Sequence, residues 1–395
     1  MAARVWIFIL LIVCASPLHA ADADSVAVAA VGDTAVVAEP SAKKPFLKRM
    51  NEKFGKLLRS FNEKDTNYIE PQYYHFSAML QHTIVYQHMS LETQTGYTMS
   101  MSPDVLFKAG PYFGYKWLFL GYTVDLKNLM KSTEGTYFDL SLYSNQLGLD
   151  LYYINNGSNY KIRKLNLRDY IDTSPLEDQP MKGLSERSYG FNIYYITNHR
   201  RYSYPAAFNQ CTQQKRNAGS PLVGIGFSRH KFNLDYGVMK DNFIEKLSDS
   251  PDVSADDKEN FKKSISHLFD REDGLDKVDY RSYTITTGYG YNYVFAHNWL
   301  VGASLQAGLS YNVTKTQYDE GLRDIMRNIS FNNVSIDTTI RFGVVYNNAR
   351  WYAGMSSITH TYNYRTEAFK ISNIYGTVNI YCGLNFDMYF KHKRI

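Results

Sequence analysis

The fold of this chain is decided by residues 280–294, which read YRSYTITTGYGYNYV. Large apolar or aromatic side chains alternate there with small or polar ones. Tyr283 and Ile285 belong to the first set, and Thr284 and Thr286 belong to the second. Successive side chains of a β-strand point to opposite faces, so this period of two predicts a strand with one apolar and one polar face.

The same alternation returns in other segments of ten or more residues. These segments are 117–127, 136–153, 299–312 and 331–346. A tilted strand needs about nine to eleven residues to cross the hydrocarbon layer of a bilayer. The sequence therefore predicts an all-β protein, a transmembrane antiparallel up-and-down β-barrel of about 12–14 strands. A soluble secreted β-protein would show the same period, because periodicity alone does not tell which face points inward.

The composition favours the membrane barrel. The chain of 395 residues contains 34 Tyr and 22 Phe, yet it has no long apolar run after its first twenty residues. A membrane-spanning helix would need about eighteen such residues in a row. In a barrel only every second side chain of a strand meets lipid, so many alternating aromatic residues fit that fold.

The lengths of the connections predict the orientation of the barrel. Short connections are expected near 115–117, 144–146, 198–200, 229–231, 296–298 and 347–350. Longer ones alternate with them at 88–103, 128–135, 155–186, 211–218, 239–279, 314–330 and 365–372. Short periplasmic turns and long outer loops are typical of outer-membrane barrels, and this arrangement puts both ends of the mature chain in the periplasm. The weakest predicted strands are 201–210 and 231–238, and without them the count is twelve.

The start of the chain is predicted to lie outside the barrel. The predicted domains are an export signal peptide over 1–20, a disordered leader over 21–45, an amphipathic periplasmic helix over 46–64 and the outer-membrane β-barrel over 65–395. A lipoprotein signal that uses Cys14 is the alternative for the first segment. The helix would lie on the membrane surface, plug the barrel or pack under its rim.

Charge and cysteine content limit the classes of partner and cofactor. The net charge of +5 is modest, so nucleic acid is not an expected partner. Cys211 and Cys382, the two cysteines after the signal, do not make a disulfide framework. The sequence has no phosphate-binding loop, no Gly-x-Ser-x-Gly, no Cys-x-x-Cys and no His-Glu-x-x-His. No cofactor, metal site or catalytic residue is therefore predicted.

The middle of the chain resembles a known family. The motifs that carry the resemblance are NHRRYSYPAAFNQ at 198–210, QKRNAGS at 214–220, DTNYIEP at 65–71, YKW at 115–117, GYGYNY at 288–293 and WYAG at 351–354. Together they resemble a Bacteroidetes family, domain of unknown function 4421, over nearly all of the chain after residue 65. The resemblance implies an outer-membrane barrel of a Gram-negative lineage, and it carries no ligand, activity or catalytic residue.

Polar and aromatic residues suggest one binding site inside the barrel. The candidate lumen cluster consists of Arg201, Tyr202, Tyr204, Lys215, Arg216, Asp337 and Arg341. Such a cluster would form a constriction or a site for an anionic solute. The alternative is structural: Pro205 shapes a kinked strand, and the basic residues pair with carboxylates of the lumen. Strand parity predicts that Lys108, Asp125, Asp139 and Asp150 also face the lumen.

Three functions remain open at this point. The polar strand face favours a channel or carrier for a small solute, which would be porin-like. A structural or receptor barrel would bind a partner through its long loops, of which 239–279 contains a predicted helix at 255–269. A lipid-modifying hydrolase would use His360, but Ser356 lies four residues away on one strand, about 13 Å apart. His360 is better explained as an interfacial residue beside the tyrosines.

The predicted partners follow from the fold rather than from a motif. Outer-membrane lipid and lipopolysaccharide would surround the barrel. The last strand alternates at Leu384, Phe386, Met388 and Phe390, which resembles the signal that the barrel assembly machinery recognises. The solute or protein partner is not specified by the sequence.

Overall fold

The structure is a computed structural model that describes the chain from residue 64 onward, with several gaps. The described residues are 64–71, 73–93, 96–115, 118–121, 123–126, 136–157, 159–166, 173–248, 256, 258–260, 262–263, 277–314, 333–365 and 369–387. The predicted signal peptide, the leader and all but the last residue of the predicted helix 46–64 lie outside them.

Strands dominate the described residues, which confirms the all-β prediction. In chain order they are β1 (Ile69–Pro71), β2 (Phe76–Thr93), β3 (Thr98–Pro103), β4 (Leu106–Tyr115), β5 (Leu118–Gly121), β6 (Val124–Asp125), β7 (Thr136–Tyr143), β8 (Leu147–Gly157), β9 (Tyr160–Asn166), β10 (Leu184–Ile196), β11 (Thr212–Gln214), β12 (Ala218–Leu234), β13 (Lys277–Ala296), β14 (Trp299–Thr314), β15 (Val334–Asn347), β16 (Trp351–Arg365) and β17 (Phe369–Phe386). The helices are α1 (Tyr204–Phe208), α2 (Tyr236–Ser248) and a short 3-10 helix, Ser174–Leu176. A search of the described helices finds none that is long and apolar enough to cross a membrane.

The strands form an antiparallel sheet that curls into a barrel. Its main path runs β5-β4-β2-β17-β16-β15-β14-β13-β12-β10-β8-β7, which gives twelve strands. β3 pairs with β2 on one side and with β9 on the other. Because β9 follows β8 after two residues, the β3–β9 pairing joins the two sides of the curled sheet where these strands lie, whereas β5 and β7, the ends of the main path, are not paired with each other among the described residues. The up-and-down barrel prediction is confirmed, at the lower end of its strand count.

The two ends of the barrel differ. The connections 144–146, 297–298 and 348–350 are short and lie at one end, named the turn end. β2 begins and β17 ends at the turn end, as their pairing of Phe76 with Phe386 shows. The opposite end is named the loop end. The described barrel therefore starts and finishes on the side of its short turns.

The apolar face of the strands points outward. Ile225, Ile285, Leu309 and Ile336 are direct cross-strand neighbours on β12, β13, β14 and β15. Their side chains are exposed by 60%, 69%, 60% and 63%. The residues between them, such as Thr286, point into the barrel and are buried. A soluble sandwich would bury its apolar face instead, so the structure excludes the soluble alternative on this face.

Two predicted strands and one predicted turn are wrong. β12 runs unbroken through the predicted turn 229–231, where Arg229 pairs in register with Arg281. The predicted strand 231–238 is the end of β12 followed by the start of α2. The predicted strand 201–210 contains α1, because Ser203 accepts a hydrogen bond from the Ala206 amide as an N-cap and a proline stands in the first turn.

These differences change the path of the chain at the turn end. Ile196 pairs with Leu222, so residues 197–217 form one connection at the turn end, and 211–218 is not an outer loop. The predicted loop 88–103 is also largely strand, formed by the end of β2 and by β3. Within the predicted helix 255–269, the described residues 256, 258–260 and 262–263 are helical.

Candidate functional site

The turn end of the barrel is filled by a separate segment of the chain. This segment, residues 203–214, contains α1 and β11 and is named the plug. The Tyr204 hydroxyl shares a hydrogen bond of 2.8 Å with Ser304 of the wall. The Asn292 amide donates to the Ser203 carbonyl at 2.7 Å. The remaining side of the plug is covered by β1, which pairs with β11.

Wall glycines make the seat of the plug. A Cβ atom at Gly302 would overlap the side chain of Ala207, and one at Gly343 would lie 3.0 Å from the Ala207 carbonyl oxygen. A Cβ atom at Gly290 would likewise overlap the hydroxyl of Tyr202. Glycine is therefore required at these strand positions because another backbone or ring approaches closely.

A buried ion pair lies next to the plug. Arg341 of β15 donates from Nη2 to Oδ2 of Asp150 on β8, and the side chains are exposed by 1% and 6%. The guanidinium carbon of Arg341 also lies 5.4 Å from the ring centre of Tyr194 and 5.8 Å from that of Tyr204. Asp150 further accepts from Ser141 at 2.8 Å. Because β8 and β15 are not neighbours in the sheet, this pair crosses the barrel interior.

Aromatic rings form the next layer toward the loop end. His360 stacks on Tyr375 with ring centres 4.8 Å apart, and Tyr152 contacts Tyr375 at 5.3 Å. The His360 ring also shares a hydrogen bond of 3.1 Å with Thr339. His360 is buried inside the barrel, so its prediction as an interfacial residue is wrong. The tyrosines of its own face, which suggested a lipid girdle, point inward with it.

A glutamate organises a polar network above this layer. Glu186 accepts hydrogen bonds from Gln87 at 2.7 Å, Ser188 at 2.7 Å and Asn373 at 3.1 Å, and it also accepts from Tyr160. The sequence interpretation missed Glu186 because it assigned residues 155–186 to a loop. Strand parity on β10, which begins at Leu184, would have placed Glu186 on the inward face.

A serine and a histidine lie side by side in this network. The His230 ring shares hydrogen bonds with Ser188 at 2.9 Å and with Ser228 at 3.1 Å. Ser228 lines an interior cavity of about 40 Å³, together with Thr286, Gln306 and other residues. One water needs about 10–15 Å³ by this measure, so the cavity has room for a few waters and excludes a lipid substrate.

The structure divides the candidate lumen cluster into three groups. Tyr202, Tyr204 and Arg341 are buried together at the plug. Asp337 is four residues from Arg341 along β15, about 13 Å away. Asp337 accepts instead from Ser310 and from the Asn363 amide at 3.1 Å.

The third group lies outside the interior, at the turn end. Arg201 and Arg216 lie over the Tyr68 ring, at 5.1 and 5.9 Å from its centre. Lys215 forms an ion pair with Glu70 at 3.3 Å. These three basic residues belong to a surface cluster, so they do not share one site with Arg341. The role of the cluster in binding stays a prediction.

A family model described as "Domain of unknown function (DUF4421)" matches residues 63–386. No curated protein matches.

Several solved structures are similar, with low identity. The P. putida toluene transporter TodX is 8% identical, with a TM-score of 0.22 over 80% of this chain and 91% of that chain. OprG from Pseudomonas aeruginosa is 9% identical, with a TM-score of 0.23 over 82% and 100%. The transport unit of the autotransporter AIDA-I from Escherichia coli is 9% identical, with a TM-score of 0.29 over 79% and 90%. These TM-scores are too low for the similarities to indicate the fold or the function of this chain.

Proposed function

The chain belongs to the family described as domain of unknown function 4421. We propose that it is an outer-membrane β-barrel that carries a small solute through a gated interior. The proposal has two parts, the location of the barrel and the passage of a solute. Each part is supported by different residues and is tested separately.

The outward apolar ladder supports the location in the outer membrane. A closed antiparallel barrel pairs its backbone groups between strands, which is what a bilayer without internal water requires. The exposed residues Ile225, Ile285, Leu309 and Ile336 would then face lipid and lipopolysaccharide. The turn end would face the periplasm, and the barrel assembly machinery would insert the chain after its export by the signal peptide.

The plug supports the gated passage, and it is the observation that carries this part. The turn end is closed by a folded segment seated on the wall, rather than by the wall itself. Behind it the interior is lined by polar groups, including Arg341, Asp150 and Glu186. Movement of the plug would expose this polar part of the interior, and the Arg341–Asp150 pair and the rings of His360 and Tyr375 would have to move with it for a solute to pass.

Planar-bilayer recording tests the passage directly. We expect the wild-type barrel to be closed for most of the time, because both the plug and the ion pair fill its lumen. A variant in which residues 200–216 are replaced by a short Gly-Ser turn, and in which Asp150, Arg341 and Tyr375 are replaced by alanine, should show stepwise conductance, because the plug, the ion pair and a ring of the aromatic layer are then removed together. Heat-modifiable migration on a gel would confirm that the variant is folded. A folded variant that stays silent would contradict the channel and carrier proposal.

A receptor or structural barrel is the second candidate, and the loop end favours it. Leu176, Met181, Met239 and Phe243 are buried there in an apolar cluster that also contains Tyr160. This cluster, named the cap, holds parts of the loops 155–186 and 239–279 in one arrangement. An ordered surface of this kind suits the binding of an outer partner. Replacement of α2 by a flexible linker should then abolish the binding of this outer partner. Binding and surface phenotypes that persist in this variant would contradict the receptor role.

A lipid hydrolase has the weakest support. The Ser228–His230 pair has hydrogen-bond geometry, but it lies beside a cavity with room for only a few waters. We therefore expect His230→Ala and His360→Ala to leave the profiles of lipid A and phospholipids unchanged. A changed lipid profile in either variant would support an enzyme instead.

A further inference from the structure

A second, larger cavity lies at the turn end beside β7 and β8. Its volume is about 690 Å³, which is within the range of about 300–1,000 Å³ that is usual for small-molecule sites. One wall is apolar and is formed by Leu142, Leu147, Leu149 and Ile193. Leu147 and Ile193 are exposed, and they belong to the outward face of their strands. The apolar wall therefore continues the surface that would face lipid.

The opposite side of the cavity is formed by the plug and by the residues before β2. Pro205, Cys211 and Thr212 of the plug line it, and so does Lys64. Burial lowers the pKa of the Lys64 amine, because the ammonium form loses much of its contact with water. Burial likewise raises the pKa of the Cys211 thiol to about 12. Both groups are thus held in surroundings of low polarity.

The amine of Lys64 has no ion pair or hydrogen bond within the described part of the chain. Other ionisable groups at this end are paired: Lys215 with Glu70 at 3.3 Å, and His75 with Asp387 at 3.0 Å. A largely buried ammonium without a partner is costly, and an anion that enters the cavity would offset this cost. The cavity thus combines one unpaired cationic group with an apolar wall.

We propose that this cavity binds a single-chain anionic amphiphile, whose carboxylate or phosphate head contacts Lys64 and whose acyl chain lies along Leu147, Leu149 and Ile193. A small hydrophilic anion would leave the apolar wall unused. A neutral hydrocarbon would leave the ammonium unpaired. The inference does not depend on the gated passage, because it concerns binding at the turn end only. The ligand can be a free fatty acid or a lysophospholipid, since each has one acyl chain and an anionic carboxylate or phosphate.

Competition binding tests the head-group contact. Purified, delipidated full-length protein in a non-ionic detergent would be titrated with a fluorescent fatty acid, and palmitate and hexadecanol would then compete with it. We expect palmitate to bind more tightly than hexadecanol. Lys64→Gln should weaken palmitate by about 10- to 100-fold, as the loss of a hydrogen bond to a charged group does, and leave hexadecanol unchanged. The matched control is Lys215→Gln, whose ammonium already pairs with Glu70.

A second pair of variants tests the chain contact. Leu149→Trp fills the cavity and should weaken palmitate and hexadecanol together. Leu151→Trp is its control, because Leu151 lies on the same face of β8 but does not line the cavity. Mass spectrometry of lipids that copurify with the protein distinguishes a fatty acid from a lysophospholipid as the ligand. Equal affinity for palmitate and hexadecanol, or an unchanged palmitate affinity in Lys64→Gln, would overturn the inference even if the barrel conducts solutes.

Discussion

At the scale of single residues, Arg341 and Asp150 are the pair whose loss should matter most. Both are buried, and each neutralises the other across the lumen. We expect Asp150→Asn to lower the free energy of unfolding by about 3–5 kcal/mol, because the buried Arg341 guanidinium loses the carboxylate that accepts its hydrogen bond. Urea unfolding in detergent micelles, followed by gel migration, measures this change.

The double variant Asp150→Leu/Arg341→Met is the control for that prediction. It removes both charges, so it should recover more than half of the lost stability. A double variant as unstable as Asp150→Asn would show that the cost does not come from the unpaired charge. The contacts of Arg341 with Tyr194 and Tyr204 would then be the main source of stability.

Cys211 should react slowly with alkylating reagents. Its pKa of about 12 means that the thiolate, which is the nucleophile, is scarce near pH 8. In a Cys382→Ser background we expect iodoacetamide at pH 8 to modify it about 2,000-fold more slowly than a free thiol with a pKa of about 8.5, in proportion to the thiolate fractions. The rate should rise about tenfold per pH unit up to pH 11. A plateau between pH 8 and pH 9 would contradict the buried environment.

The direction of single side chains was predictable, whereas their partners were not. Strand parity alone placed Asp150, Asp337 and Arg341 on the inward face, and all three are buried. The pairing of Arg341 with Asp150, rather than with Asp337, depends on the stagger of strands around the barrel. Stagger is a property of the whole sheet, so no local pattern of residues reveals it.

At the scale of elements, the plug and its glycine seat give the sharpest expectation. Gly302→Ala places a methyl group against Ala207, which should displace α1. Overpacking of this kind costs about 1–3 kcal/mol, so local opening of the plug should rise by about tenfold. The measurement is the rate of trypsin cleavage at Arg201 and Lys215, which should increase.

Two further variants test whether the contact between residue 302 and Ala207 causes the faster cleavage. Ala207→Gly combined with Gly302→Ala should restore slow cleavage, since it removes the opposing methyl group. Gly226→Ala is the matched strand control, because a Cβ atom there would have its nearest neighbour at 3.3 Å and only moderate crowding. Equal cleavage in Gly226→Ala and Gly302→Ala would rule out the seat as the cause.

The cap at the loop end should be able to unfold locally while the barrel stays folded. Phe243 of α2 is fully buried there, and Phe243→Ala removes its ring from the apolar cluster. We expect a cost of about 3–5 kcal/mol that falls on the loops. Hydrogen exchange should therefore speed up in α2 and stay unchanged at the centre of β13. Faster exchange throughout β13 would show that the cap and the barrel unfold together.

The elements with a clear period were predictable, and the exceptions have a local cause. β13, β14 and β15 alternate over ten or more residues, and the structure contains all three. The predicted strand 201–210 overlaps the plug, and Pro205 was expected to kink that strand rather than to start a helix. The N-cap residue Ser203 and Pro205 start the helix α1 there instead. A helix of five residues is too short to show a helical period in the sequence.

At the scale of the whole molecule, the fold class followed from the sequence, but the direction of the apolar face did not. Alternation fits a sandwich as well as a barrel, and only the closed sheet shows that Ile285 and its neighbours point outward. The binding sites were less predictable still. The residues of the candidate cluster come from distant parts of the chain, and the structure separates them by position along the barrel.

The outward face of the barrel is expected to meet lipid, and lipid quenching measures this contact. Single cysteines would replace Ile285, Leu309 and Ile336, and also the inward residues Thr286 and Ser310, in a Cys211→Ser/Cys382→Ser background. Each would carry a fluorophore in a folded barrel in vesicles that contain brominated lipid. We expect strong quenching at the first three positions and little at the other two. Equal or reversed quenching at outward and inward positions would contradict a membrane-spanning barrel.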